Sequence, residues 1–180
     1  MRRIGMLGIG NVLMGDDALG PYVLKQLEAR YELPPEVEIL DLGTAGADFP
    51  LHLEGLCAAV VVDALKLSGS PGEIRLFDKE QLLAKRPLLP MSPHEPGLRE
   101  ALFALEFRGT APGQVRLVGV IPSRVETGIG LSAEVQAAVP AVLAAVLREL
   151  EFLGARVVPR AIPGVPDVWW ERSPDKESVP

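Results

Sequence analysis

Three acids and one histidine in this sequence are of a type and setting that suits chemistry. Asp16 and Asp17 stand side by side in the glycine-rich stretch "GIGNVLMGDDALG" from Gly8 to Gly20, Asp63 closes the apolar run "AAVVV", and His94 lies in the proline-braced loop "SPHEPG". Carboxylates accept protons and ligate cations, and imidazole does both near neutral pH. In an open sheet with helices on its faces, ligands bind outside the carboxyl ends of the strands. Both acidic positions follow strand-like runs, so Asp17 and Asp63 are expected at that edge, with His94 converging on them. Two carboxylates and one imidazole with open positions suit a borderline divalent metal such as nickel or zinc, and ligand type alone does not choose between the two. Each residue also has an ordinary structural use. Asp17 can stabilise the first turn of a helix, Asp63 can cap a turn, and His94 can be an exposed loop residue.

The glycine turn invites a second reading, a dinucleotide cradle. That fingerprint needs G-x-G-x-x-G, and Leu13 occupies the place of the third glycine. Asp16 and Asp17 would also put negative charge at the helix end that should receive a pyrophosphate. Asp41 mimics the ribose-binding acid at the end of a second strand, but it does not repair the motif, and no Walker lysine follows. Among nucleophiles, Cys57 opens the strand that Asp63 closes, so it is expected at the opposite edge, buried and inert. Ser92 is two residues from His94 with no G-x-S-x-G elbow. His52, within "DFPLHLEGL", reads as a surface or structural histidine.

The elements that must position these groups follow from pattern. "RIGMLG" (Arg3 to Gly8) is a buried strand entering a tight turn. From Asp16, the spacing of Leu19, Tyr22, Val23, Leu27 and Tyr31 predicts a helix with both acids in its first turn, stopped by Pro34 and Pro35. Val37 to Leu42 alternates apolar and acidic residues as a second strand, a short helix covers "DFPLHLEGL", and Ala58 to Ala64 is a central strand covered on both faces. "EIRLF" is a further strand candidate, "RPLLPMSPHEPG" is too rich in proline for a regular element, and a helix resumes at Pro96 or Gly97. Gln114 to Pro122 is another buried strand. Ser132 begins the last helix, with Val135, Val139, Val142, Val146 and Leu150 on its apolar face and a stop near Gly154.

Strands alternating with helices imply a three-layer α/β fold with a mostly parallel sheet. The chain of 180 residues suits one domain. Residues 1–158 are expected to form it, with 159–180 an irregular proline-rich tail that Trp169 and Trp170 could anchor. Eighteen basic against 24 acidic residues, net −6, with no basic run, disfavour nucleic acid and anionic membranes as partners. The longest apolar stretch, Ala137 to Leu147, is too short to span a bilayer. No secretory leader pattern opens the sequence and there is a single cysteine, so a cytoplasmic address is expected.

Five stretches in this order, "GIGNVLMGDDALG", "DLGTAG", "VVVDALKLSGSPGEI", "SPHEPGLREAL" and "LVGVIPSRVETGIGLS", resemble the hydrogenase maturation proteases over roughly Arg3 to Gly154. The resemblance implies a twisted five-stranded sheet between helices, of phosphorylase/hydrolase-like kind. It implies an endopeptidase that trims the C-terminus of a nickel-iron hydrogenase large-subunit precursor. By motif, the family's metal-contacting residues fall on Asp17, Asp63 and His94, with Asp17 or Asp63 also serving as general base in an aspartic-type reading. Nickel would arrive bound in the precursor instead of residing in the protease. The other readings weighed are a nickel-sensing or metal-carrying module that binds such a precursor without cutting it, and a related α/β peptidase with another protein substrate. The resemblance does not account for the tail.

Overall fold

The computed structural model describes residues 2–44, 46–84 and 95–172, the side chains of 47, 95 and 96 excepted. The elements run β1 (Ile4–Ile9), α1 (Leu19–Arg30), β2 (Tyr31–Glu32), β3 (Val37–Gly43), α2 (Phe49–Leu53), β4 (Ala58–Ala64), β5 (Ile74–Asp78), α3 (Lys79–Leu83), α4 (Glu95–Arg108), β6 (Gln114–Val120), α5 (Ala133–Phe152) and β7 (Val158–Pro159). Five strands form one sheet in the order β3-β1-β4-β6-β5. The first four are parallel and β5 joins the edge antiparallel to β6. The expected mostly parallel sheet is borne out, including the strand foreseen at "EIRLF".

β4 shows why the sheet is central. All seven of its residues are buried, and successive side chains point to opposite faces. Val60 and Val62 enter a core with residues of α1 and α5, whereas Ala59 and Val61 enter a second core with residues of α2 and α4. Burying apolar side chains on both faces requires helices on both faces, which gives the three layers. The last helix begins as expected: the Ser132 hydroxyl accepts from Val135 N at 3.4 Å, and Gly154 ends the helix at φ +82°.

Two local expectations are corrected. Asp16 and Asp17 lie in a separate 3-10 turn, Gly15–Ala18, and the α-helix starts only at Leu19. Both carboxylates bind backbone N–H groups outside the helix, and that fixes the tighter turn. The α1 helix stops at Arg30, ahead of the two prolines, because Tyr31–Glu32 extends and pairs antiparallel with Val158–Pro159. Residues 160–172 are largely irregular and exposed, as expected, and hydrogen bonds and one side chain tie them to the body. Arg160 N donates to Arg30 O (2.9 Å), Gly164 N to Ala29 O (2.7 Å) and Arg160 Nε to Glu28 O (3.1 Å), so the segment satisfies carbonyls that end α1. Trp170 is buried in the core shared by α1 and α5, while Trp169 stays half-exposed. Among the described residues no helix is long and apolar enough to cross a membrane.

Candidate functional site

The strand order sets the place of the site. From β1 the chain runs to β3 on one side and then to β4 on the other, so the order reverses between β1 and β4. A crevice outside the carboxyl ends is expected at such a reversal. Asp17 follows β1 and Asp63 lies near the end of β4, one on each flank of it. Gly20 explains how closely they are brought together. A Cβ there would lie 2.2 Å from Ile9 O and 2.8 Å from Val62 O, so the start of α1 rests on the ends of both strands. The 3-10 turn carrying Asp17 directly precedes this helix start, and Asp17 and Asp63 are almost wholly buried, at 5% and 2% exposure.

Asp17 is held from behind. Asn11 N donates to its Oδ2 at 2.8 Å, and Asn11 Oδ1 accepts from Leu13 N at 3.0 Å in a local turn. Gly10 allows this approach: its φ is +134°, and a Cβ there would stand 1.8 Å from Asp17 O. Asp63 Oδ1 accepts from Ala64 N at 2.8 Å. By alternation Asp63 shares the strand face of Ala59 and Val61, the face packed with α4. The first turn of α4 is itself at the carboxyl edge, since Gly97 abuts Gly46 and Phe49 beyond the end of β3. His94 precedes α4 directly in sequence and, with Ser92, lies outside the described residues.

Asp16 turns out to be quite unlike its neighbour. It is fully buried, and its oxygens accept from Ser123 N (2.8 Å), Arg124 N (2.9 Å), Ser132 N (2.6 Å) and Ser132 Oγ (2.9 Å). Sequence spacing gave no sign of this, because the donors lie more than 100 residues away. The backbone of the same loop is stapled to the acidic turn by Gly15 N to Gly128 O (2.8 Å) and Gly128 N to Leu13 O (2.9 Å). Leu13 and Ile129 on these joined loops are exposed, at 53% and 56%. Exposed apolar residues next to a polar crevice mark a surface that a protein can cover, and sequence pattern does not reveal it.

Of the remaining candidates, Asp41 shares this edge, level with Gly8 near the end of β3. Cys57 is at the amino end of β4 as expected, roughly 20 Å from Asp63 by strand rise. The expectation that it is buried is corrected: it is exposed, its Sγ within 3.0 Å of Arg3 O. β4 begins one residue later, so the thiol projects from the sheet margin and is not covered by a helix. Asp41 is exposed and accepts from Gly43 N at 3.1 Å, a turn contact that uses the acid locally. His52 is half-buried on α2.

Comparison with known proteins agrees with this architecture. A family model described as hydrogenase maturation protease matches residues 21–149. The hydrogenase 2 maturation protease of Escherichia coli is 38% identical over 162 residues, covering 88% of this chain and 96% of that protein. The hydrogenase expression/formation protein HupD of Rhizobium leguminosarum is 31% identical, covering 88% and 79%. Among solved structures, the E. coli hydrogenase maturating endopeptidase HybD superposes with a TM-score of 0.81 at 38% identity, over 88% of this chain and 98% of that one. A hydrogenase 2 maturation peptidase from a Thaumarchaeota archaeon gives 0.64 at 34% identity, over 83% and 99%.

Proposed function

The chain belongs to the hydrogenase maturation protease family and is an endopeptidase, and we propose that it removes a C-terminal peptide from the nickel-loaded large-subunit precursor of a nickel-iron hydrogenase. The observation that carries this reading is the pair of buried carboxylates, Asp17 and Asp63, flanking the strand-order reversal at the carboxyl edge. In this reading Asp17, Asp63 and His94 face the metal that the precursor brings, and the metal is part of the substrate. One carboxylate takes a proton from the attacking water as the water oxygen bonds to the scissile carbonyl carbon. The same proton passes to the leaving amine as the C–N bond breaks. The other carboxylate stays ionised toward the metal, with His94 as a nitrogen donor. That division of labour makes the enzyme aspartic in type.

Burial favours the arrangement chemically. A divalent cation entering with the substrate supplies positive charge beside two buried carboxylates. Cleavage is then conditional on the metal. The exposed Leu13 and Ile129 beside the crevice provide apolar surface for the body of a protein substrate. A cytoplasmic address belongs to this reading, and the single cysteine, an exposed free thiol, supports it.

The deciding experiment is a mass measurement on a purified hydrogenase large-subunit precursor, nickel-loaded and nickel-free, before and after incubation with this protein. The expected outcome is loss of one C-terminal peptide from the loaded form alone. An unchanged mass with stoichiometric binding would instead identify a metal-sensing module, and equal cutting of both forms would remove the metal from the reading.

A further inference from the structure

We propose that Asp16 is a positioning residue for cleavage: its buried carboxylate clasps the loop after β6 and the start of α5 to the turn that carries Asp17. The proposal rests on the reading of Asp17 as a group at the cleavage site.

Asp16 is a fully buried acid whose two oxygens accept four hydrogen bonds from within the protein. Four donors converge on its two oxygens: the N–H groups of Ser123 and Arg124 and the hydroxyl of Ser132 on Oδ2, and the N–H of Ser132 on Oδ1. Its ties are also spread over three segments. Asp16 N donates to Arg124 O at 3.1 Å, so the main chain and side chain of one residue both hold the loop. Ser132 is the N-cap of the 20-residue helix α5, and its hydroxyl serves Asp16 as donor and Val135 N as acceptor. The carboxylate therefore stands at the positive end of α5, where the helix dipole favours an anion. The charge that the helix end attracts is supplied by the chain itself.

This arrangement bears on Asp17 through covalent geometry. Asp16 and Asp17 share one 3-10 turn, so fixing the Asp16 side chain fixes the backbone from which Asp17 projects. The same clasp holds the loop that bears Ile129, next to the Leu13 loop. An amide at position 16 cannot reproduce it. One oxygen becomes an NH2 group that confronts an N–H of Ser132 or of Ser123 and Arg124, leaving buried donors unmatched. The turn must shift, and displacements of about 1 Å at a reacting group can cost about a hundredfold in rate.

The test uses steady-state cleavage of nickel-loaded precursor by the full chain, with rates normalised to folded protein. Asp16→Asn is expected to lower kcat at least tenfold while KM stays within twofold. Ser132→Ala, which removes a single donor, is expected to lower kcat less, and Ser132→Thr to restore it. Leu105→Ala, a core change in α4 remote from the acidic turn, serves as a control for lost stability: it is expected to lower Tm and leave kcat unchanged. If Asp16→Asn does not fold, the comparison of Ser132→Ala, Ser132→Thr and Leu105→Ala decides. Unchanged kcat in Asp16→Asn, or in Ser132→Ala when only that variant folds, overturns the proposal. So does an equal kcat loss in Leu105→Ala at matched Tm. A wild-type protein that leaves the precursor uncut overturns the functional reading instead.

Discussion

The two ends of the sheet use polar groups in opposite ways. At the carboxyl edge Asp16, Asp17 and Asp63 are all buried, and backbone N–H groups converge on their oxygens. Toward the amino side the charged groups pair with one another, and even the buried Glu149 has the Arg116 guanidinium at 2.6 Å. Arg3 pairs with Glu38 at 2.7 Å with both side chains more than a third exposed, and Lys25 pairs with Glu28 at 2.7 Å across one helical turn. On the exposed surface there, Arg160 and Gly164 satisfy the final carbonyls of α1. A buried carboxylate is expensive to maintain and strongly dependent on its donors, whereas an exposed pair contributes little and is easily replaced. Under the proposed function, the difference separates groups whose positions matter to chemistry from those that decorate a stable fold.

The sharpest way to break the comparison is at Asp17 and Asp63. Asp17→Asn and Asp63→Asn should each lower precursor cleavage by about 10²–10⁴-fold, the range for loss of a general base or an oriented charge, with circular dichroism unchanged. Activity near wild type in both would put the carboxyl edge on the same footing as the amino side. Next in size comes the tail that spans the two regions. Trp170→Ala should cost about 3–5 kcal/mol in urea denaturation, the usual loss for a buried large aromatic, whereas Trp169→Ala should stay within about 0.5 kcal/mol. Equal small effects would mean that the tail is only laid on the surface.

The sheet was legible because its signals are local. The run Ala58 to Ala64 could only be a strand covered on both faces, and Ser132 and Gly154 punctuated the last helix by their own chemistry. The edge positions of Asp17 and Asp63 followed from those elements plus the rule for open sheets. What sequence could not convey is pairing at a distance. The donors to Asp16 come from Ser123, Arg124 and Ser132, and nothing in "GDDALG" distinguishes one acid from the other. Likewise the proline content of the tail suggested irregularity, and irregular it is, but its donors match the end of α1 and its Trp170 fills a core position. Burial, not periodicity, decides such cases.

A smaller change probes where a protein substrate would rest. Leu13→Ser combined with Ile129→Ser should raise KM for the precursor about tenfold, equivalent to about 1.4 kcal/mol, and leave kcat and thermal stability near wild type, since both side chains are already more than half exposed. An unchanged KM would limit substrate contact to the acids themselves.

The smallest effect is expected at Lys25, and its sign can be worked out. The hydrogen bond to Glu28 raises the pKa of the Lys25 ammonium above its ordinary 10.5, against the opposing effect of partial burial. Because the folded state holds this proton more tightly than the unfolded chain, the stabilisation is complete below 10.5 and is lost as pH rises through the elevated folded value. Lys25→Met should therefore cost about 0.3–0.5 kcal/mol at neutral pH, the range for a helical ion pair at this spacing. The gap between variant and wild type should close in alkaline urea titrations, and cleavage kinetics should not change. A loss of kcat in this variant would show that charge on the flank of α1 reaches the acidic turn, and the division between the two ends of the sheet would fail at its weakest pair.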